Sequence, residues 1–286
     1  MLWVPQGNSL PTLDDAREAM KRRGAIGPDP WLWDNLIGFW PMIERGGLIA
    51  HDFSGYGHHG TLTNMAPASD WVDDAHIGGV ASLDCDGVDD YIYAPALDID
   101  LENDGWTLAF WYKSEVDALY ERVLNVADGN YGLQIINDNG TAFHLGNSDT
   151  TTATRCTLST VPAANEWHYV VGTKQQSAHT YYFYLDGEDK TASGTVGWSH
   201  YPTAGTWFGQ RGNGQYAHCR FGSIAFFNRE FSPAEVRWLY RETLAGYPTL
   251  LHRGSTRVWL VGSGAGPIVW KPWLVSSAQI IGGGVV

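Results

Sequence analysis

From Leu36 onward the chain alternates short apolar runs with turn residues. "LIGFWPMI" (36–43), "SLDCDGVDDYIYA" (82–94), "GWTLAFWYK" (105–113), "YGLQIIND" (131–138), "TAFHLG" (141–146), "EWHYVVGTK" (166–174), "TYYFYLDG" (180–187), "TWFGQ" (206–210) and "FGSIAFFN" (221–228) are rich in β-branched and aromatic residues and bounded by Gly, Asp or Asn. This is the pattern of strands. Asp186-Gly187 is a hairpin turn signal. Many short strands with regular turns predict an antiparallel sandwich or barrel. One helix closes the region. In "SPAEVRWLYRETLAG" Ser232 is the N-cap, Pro233 the first helical residue and Glu235 the capping-box partner. Val236, Leu239, Tyr240 and Leu244 share its apolar face, and Gly246 ends it.

Both ends depart from this pattern. Residues 13–23 predict a short helix, capped by Thr12, with Asp14 and Asp15 in its first turn and Lys21 to Arg23 in its last; Gly24 stops it. Residues 254–286 carry "RVWLVG", "PIVWKPWLV" and "AQIIGGGVV", apolar and almost uncharged. Such a tail cannot form a core alone and is expected to add to a sheet or dock on a partner through Trp259, Trp270 and Trp273. The expected division is an N-terminal helical extension over 1–35, a β domain over 36–247 and an apolar C-terminal extension over 248–286.

Composition sharpens the picture. A hydrophobic fraction of 44% supports a sizeable core, and a net charge of −13 argues against nucleic acid or anionic membrane as partner. The three cysteines, Cys85, Cys156 and Cys219, lie far apart without CxxC spacing, so buried thiols are expected rather than a disulfide framework or zinc site. No secretion signal or span of about 18 apolar residues is evident. The expectation is synthesis in the cytoplasm.

The order of motifs resembles the laminin-G-like, concanavalin A-like jelly roll. "HDFSGYGHHGTLTN" (51–64), "LDCDGVDDYIYAP" (83–95), "GWTLAFWYK", "EWHYVVGTK…YYFYLDGE" and "IAFFNREFSPAEV" each resemble a segment of that family, in the family's order. The resemblance spans about residues 36–247 and implies an all-β fold: a two-sheet antiparallel jelly-roll sandwich with short helices and terminal extensions. It implies little about activity, because one fold hosts many functions.

Four aspartates, Asp84, Asp86, Asp89 and Asp90, crowd the approach to Tyr91. Turn chemistry explains them best, since Asp side chains bond nearby backbone N–H groups. A second reading is calcium, with Asp52 converging on Asp86 or Asp90; the resemblance adds that some relatives hold calcium this way. Gly222 and Ser223 stand where such relatives often carry an acidic pair, so no cofactor is assigned. A third reading is catalysis. Asp98, Asp100 and Glu102 alternate in "LDIDLEND" and would share one face of a strand, as in the carboxylate run of related β-glucanases. Asp98 is one methylene short of the glutamate there, and the run sits where the family has a connecting loop. No catalytic residue is therefore expected. His51, His58 and His59 share a loop with Asp52 and read as polar loop histidines.

These features lead to the expectation of a non-catalytic structural or binding module. The first form of it is a bacteriophage virion component, a capsid decoration or tail protein joined to other virion proteins or to its own copies through its ends. The alternative is a carbohydrate-binding lectin, or less readily a β-glucanase. Trp71, Trp198, Tyr201 and Tyr216, each in a turn-rich stretch, are the candidates for stacking on sugar, including host-surface glycans.

Overall fold

The computed structural model describes residues 35–74, 81–115, 121–126, 133–138, 142–146, 155–176, 180–193, 205–211, 215–244, 258–259 and 272–273. The strands run in chain order as β1 (Leu36–Trp40), β2 (Ile49–Ala50), β3 (Gly60–Thr63), β4 (Trp71–Val72), β5 (Ser82–Asp86), β6 (Tyr91–Ala94) and β7 (Trp106–Ser114). Then come β8 (Glu121–Val126), β9 (Leu133–Asp138), β10 (Ala142–Gly146), β11 (Arg155–Leu158), β12 (His168–Lys174), β13 (Tyr181–Leu185), β14 (Glu188–Asp189) and β15 (Thr191–Ser193). The last are β16 (Thr206–Phe208), β17 (Gln210–Arg211), β18 (Gln215–Tyr216), β19 (His218–Phe227), helix α1 (Pro233–Leu244), β20 (Val258–Trp259) and β21 (Pro272–Trp273).

Two antiparallel sheets carry the fold. One has the order β14-β13-β12-β7-β19-β5-β4, with β1 also on β19; the other runs β15-β11-β10-β9-β8-β16-β6-β3-β2. Between them lies one apolar cluster fed by alternate residues of both, among them Trp106, Leu108 and Phe110 from the first sheet and Leu124, Ile135, Phe143 and Phe208 from the second. This is the jelly-roll sandwich the sequence predicts.

The run "WTLAFWYKS" is buried on both faces, which explains why it reads as continuous rather than alternating. Its Trp106, Leu108, Phe110 and Tyr112 enter the inter-sheet core, while Ala109 and Trp111 face a second cluster on the sheet's outside. Helix α1 seals that outside. Val236 and Leu239 are buried there, and Tyr240 lies 6.0 Å from both Tyr169 and Trp111 by ring centroid. The capping box forms as expected: Ser232 N–H donates to Glu235 Oε2 at 2.7 Å and Glu235 N–H to Ser232 Oγ at 3.4 Å. The Leu244 side chain and Gly246 lie outside the described residues, as does the predicted helix at 13–23.

The Asp186-Gly187 turn also forms, with both residues at positive φ (53° and 79°), and pairs Leu185 with Glu188. Asp186 does more than turn the chain: its carboxylate accepts the Tyr169 N–H and sits 2.8 Å from His168 Nδ1, tying the hairpin to β12.

Of the apolar tail, only Val258–Trp259 and Pro272–Trp273 are among the described residues. Val258 pairs with Trp273 and Trp259 with Pro272 in a two-stranded ladder of their own, joined to neither large sheet. The side chains of Trp259 and Trp273, and the whole of Trp270, lie outside the described residues. Among the described residues no helix is long and apolar enough to cross a membrane.

Candidate functional site

The aspartate segment is a corner between the sheets. β5 belongs to the first sheet and β6 to the second, so the chain crosses the sandwich edge between Asp86 and Tyr91. Asp86 Oδ1 accepts the N–H groups of Val88 (2.8 Å) and Asp89 (3.3 Å), and Gly87 takes φ +76°. Asp90 Oδ2 accepts the Asp86 N–H at 3.2 Å. Asp84, in register with Arg220, lies 3.4 Å from its Nη2. Turn chemistry and one ion pair thus account for the carboxylates of Asp84, Asp86 and Asp90.

Asp86, Asp89 and Asp90 do bring one oxygen each within 4.8 Å of the others. Calcium wants six to eight oxygens. Two of the oxygens here already accept turn amides, and Asp52 does not join the group. The residues present do not fit a calcium cage. Asp52 instead is wholly enclosed, and its carboxylate accepts the N–H groups of Phe39, Ser54 and His58 and the Ser54 hydroxyl. The loop histidines have separate partners. His51 meets Glu44, His58 Nδ1 lies 3.1 Å from the Ile37 carbonyl, and His59 Nδ1 accepts the Asp52 N–H.

The run of Asp98, Asp100 and Glu102 is a turn, not a strand, although burial still alternates along it, with Leu97, Ile99 and Leu101 in the core and the three acids more exposed. Asp100 Oδ1 accepts the Glu102 and Asn103 N–H groups at 3.0 and 3.1 Å. The segment wraps a buried cation. Lys174 is fully enclosed, and its ammonium donates to the carbonyls of Asp104 and Gln175. Burial pulls its pKa down, while Asp100, Asp104, Glu102 and Glu230 hold it up. Asp100 and Glu102 of the acidic run thus place negative charge near that lysine.

Another buried acid sits between the sheets. Glu121 Oε2 accepts Tyr112 Oη–H at 2.7 Å and Asn137 Nδ2–H at 3.0 Å, and burial raises its pKa. Cys85, Cys156 and Cys219 are buried free thiols, as expected; burial pushes Cys156 up to about 12.

Helix α1 covers the outside of the first sheet, and the outer face of the second sheet carries a different set of side chains. Inward residues of the second sheet include Ile92, Ala94, Leu124, Leu133 and Phe208, with Glu121 and Asn137 as polar members. Outward residues include aromatic and polar ones. Register pairs Thr61 with Tyr93, Tyr93 with Trp207, Trp207 with Asn125 and Asn125 with Gln134, so these five form one rung across β3, β6, β16, β8 and β9. The Tyr93 and Trp207 rings sit 5.3 Å apart and both are half-buried, leaving ring surface accessible. Beside the rung, Arg122 Nε donates to Gln215 Oε1 at 2.9 Å, Tyr216 lies 6.4 Å from Tyr91, and His144 Nδ1 lies 3.0 Å from Thr157 Oγ1. A β-bulge in β8 between Arg122 and Leu124 keeps both Arg122 and Asn125 on this outer face.

Of the stacking candidates, Tyr216 stands half-buried at this face. Trp71 does not: it is 8% exposed, packed in the inter-sheet core, with its indole N–H donating to the Gly47 carbonyl at 3.0 Å. Strand β4 holds it there, so its turn-rich sequence surroundings mislead. Trp198 and Tyr201 lie outside the described residues. Tyr93, Trp207, Asn125 and Gln134 were not among the sequence candidates. The signal for them was alternation: "YIYA" and "TWF" put one aromatic set inside and the other outside.

Comparison with known proteins agrees with this architecture. Solved structures similar to the chain include Trypanosoma rangeli sialidase in complex with sialic acid (TM-score 0.54, 14% identity, covering 73% of this chain and 33% of that one). Also similar are the receptor binding domain of botulinum neurotoxin C/D mosaic serotype (0.55, 16%, 73% and 51%) and the binding domain of botulinum neurotoxin serotype D (0.55, 16%, 80% and 55%). The chain therefore spans about a third of the sialidase and about half of each toxin domain, and the likeness is one of fold. No curated protein sequence matches it. The family described as the concanavalin A-like lectin/glucanases superfamily matches residues 86–237, just over half of the chain, and the protein belongs to that superfamily.

Proposed function

We propose that the protein is a non-catalytic glycan-binding module whose contact surface is the outer face of the nine-stranded sheet. The observation that carries this is the pair of half-buried rings Trp207 and Tyr93, in register and 5.3 Å apart by centroid on that face. Sugars present apolar C–H faces and hydroxyl edges, and such sites combine rings with a few placed polar groups. The sialidase solved with sialic acid favours this class of ligand, and the toxin neighbours named as binding domains favour a binding role. Attachment to a viral particle finds no support among the described residues.

A glycan array followed by calorimetry tests the proposal. Trp207→Ala should weaken the best array ligand by about tenfold or more, the scale of a central aromatic anchor. Unchanged affinity in a folded Trp207→Ala protein moves the site elsewhere, and no ligand at all ends the reading.

The non-catalytic part has its own test. Glu102 serves the charge of Lys174 from a turn, so Glu102→Gln should leave the rate on soluble β-glucans at the wild-type background. Hydrolysis by the wild type that disappears in Glu102→Gln would make the protein an enzyme.

A further inference from the structure

A second pair of rings stands beside the first on the outer face of the nine-stranded sheet. Strand β6 alternates: Ile92 and Ala94 enter the core, so Tyr91 and Tyr93 point outward, and both are half-buried. Tyr93 pairs in register with Thr61 on one side and Trp207 on the other, with the Trp207 ring 5.3 Å from its own. Tyr91, two residues along the strand, pairs with Thr63, and the half-buried Tyr216 ring lies 6.4 Å away. Thr61 is exposed and Thr63 half-buried, with Leu62 between them in the core. Each half of the face thus sets one threonine beside two rings. The Tyr93 ring is also held closely: a Cβ on Gly205 would stand 2.5 Å from its Cε2. Residues two apart on a strand are about 6.5–7 Å apart, close to the spacing of consecutive sugars in a linear chain.

We propose that this face binds a linear oligosaccharide lengthwise along β6, with consecutive sugar units on the Tyr93–Trp207 pair and on the Tyr91–Tyr216 pair. This rests on the glycan-binding reading above and deepens it, from one anchored sugar to a chain. A pyranose lays its C–H face on aromatic surface and turns its hydroxyls to the sides. Thr61 and Thr63 follow the same direction on β3, and each hydroxyl is both donor and acceptor, suited to the hydroxyl edge of one unit. The four rings and both threonines keep surface in contact with solvent, so a sugar reaches them without opening the sandwich. A single unit fills half of the face. A second unit adds its own ring contacts after the first has already met most of the cost of association.

NMR titration of the full chain with xylo-, cello- and chito-oligosaccharides of one to four units tests this. In a series that binds, affinity should rise about tenfold or more from one unit to two, the scale of an added aromatic contact. Tyr91→Ala and Tyr216→Ala should each remove most of that rise. Saturation-transfer NMR on the wild type keeps the test independent of whether the variants fold: ring protons of two consecutive units should both show strong transfer. Equal affinity for one and two units, transfer confined to one unit, or a rise that survives in both folded variants overturns the two-pair assignment and leaves glycan binding standing. Binding of array glycans with no binding in any of these linear series does the same. No binding to any glycan overturns both.

Discussion

Asp52→Ala will lower stability by about 3–5 kcal/mol, the largest effect expected from a single polar residue in this protein. Its side chain is 0% exposed, and Oδ1 accepts Phe39 and Ser54 N–H at 2.9 and 2.8 Å. Oδ2 accepts Ser54 Oγ–H at 2.7 Å and His58 N–H at 2.9 Å. These bonds pin the loop after β2 to β1, beside the Trp40 indole N–H that donates to the His58 carbonyl. Alanine strands four donors, three of them in positions water reaches poorly. A domain of this size loses roughly 2–4 °C per kcal/mol, so the melting midpoint should fall by about 10 °C. Asp52→Asn keeps the volume but turns a donor toward donors, so it should fall nearly as far. A loss under about 1 kcal/mol for Asp52→Ala would refute the loop-anchor role. A metal ligand would leave another signature: a chelator would mimic the substitution in the wild type.

Asp90→Asn will raise stability at neutral pH, by up to about 3 kcal/mol. Burial, together with the nearby carboxylates of Asp86, Asp70 and Asp89, pushes Asp90 up to about 6 from 3.8, against the opposing hydrogen bond from Asp86 N–H. A raised carboxyl pKa means that the folded protein binds more protons than the unfolded chain between those two values. The native state is therefore favoured below about pH 4, loses that advantage as pH rises through 6, and lacks it at pH 7.5. Asparagine is neutral throughout and retains an acceptor for the Asp86 N–H. Urea midpoints at pH 4.5 and 7.5 should show the variant close to wild type at the lower pH and clearly more stable at the higher. A gap that does not change with pH, or a variant less stable at pH 7.5, would sink the argument. The corner at β5–β6 is thus folded against its own electrostatics, because the carboxylates that turn the backbone also repel one another.

The same aspartates mark the boundary between what could be read from the chain and what could not. The turn was legible, because Asp and Gly have local backbone preferences that act over three or four residues. So were the Asp186-Gly187 hairpin, the capping box of α1 and the unusually apolar β7, each written in adjacent positions. The order of motifs carried the sandwich itself. The fate of Asp98, Asp100 and Glu102 was not legible: alternation suggested a strand, but the segment is a turn whose Asp100 and Glu102 lie near the charge of a lysine about 70 residues away. Trp71 was misplaced for a similar reason, since pairing of β4 with β5 buries it.

The sequence by itself determined the all-β class, the turns, the closing helix and the family, because these depend on local propensity and on the period of the apolar positions. The tertiary structure decided which side chains share the outer face of the second sheet. Asn125, Gln134, Trp207 and Tyr93 come from four strands spread over about 110 residues, and only strand register sets them side by side. Register is fixed by which residues fill the core between the two sheets, and that is a property of the whole packed sandwich rather than of any one segment.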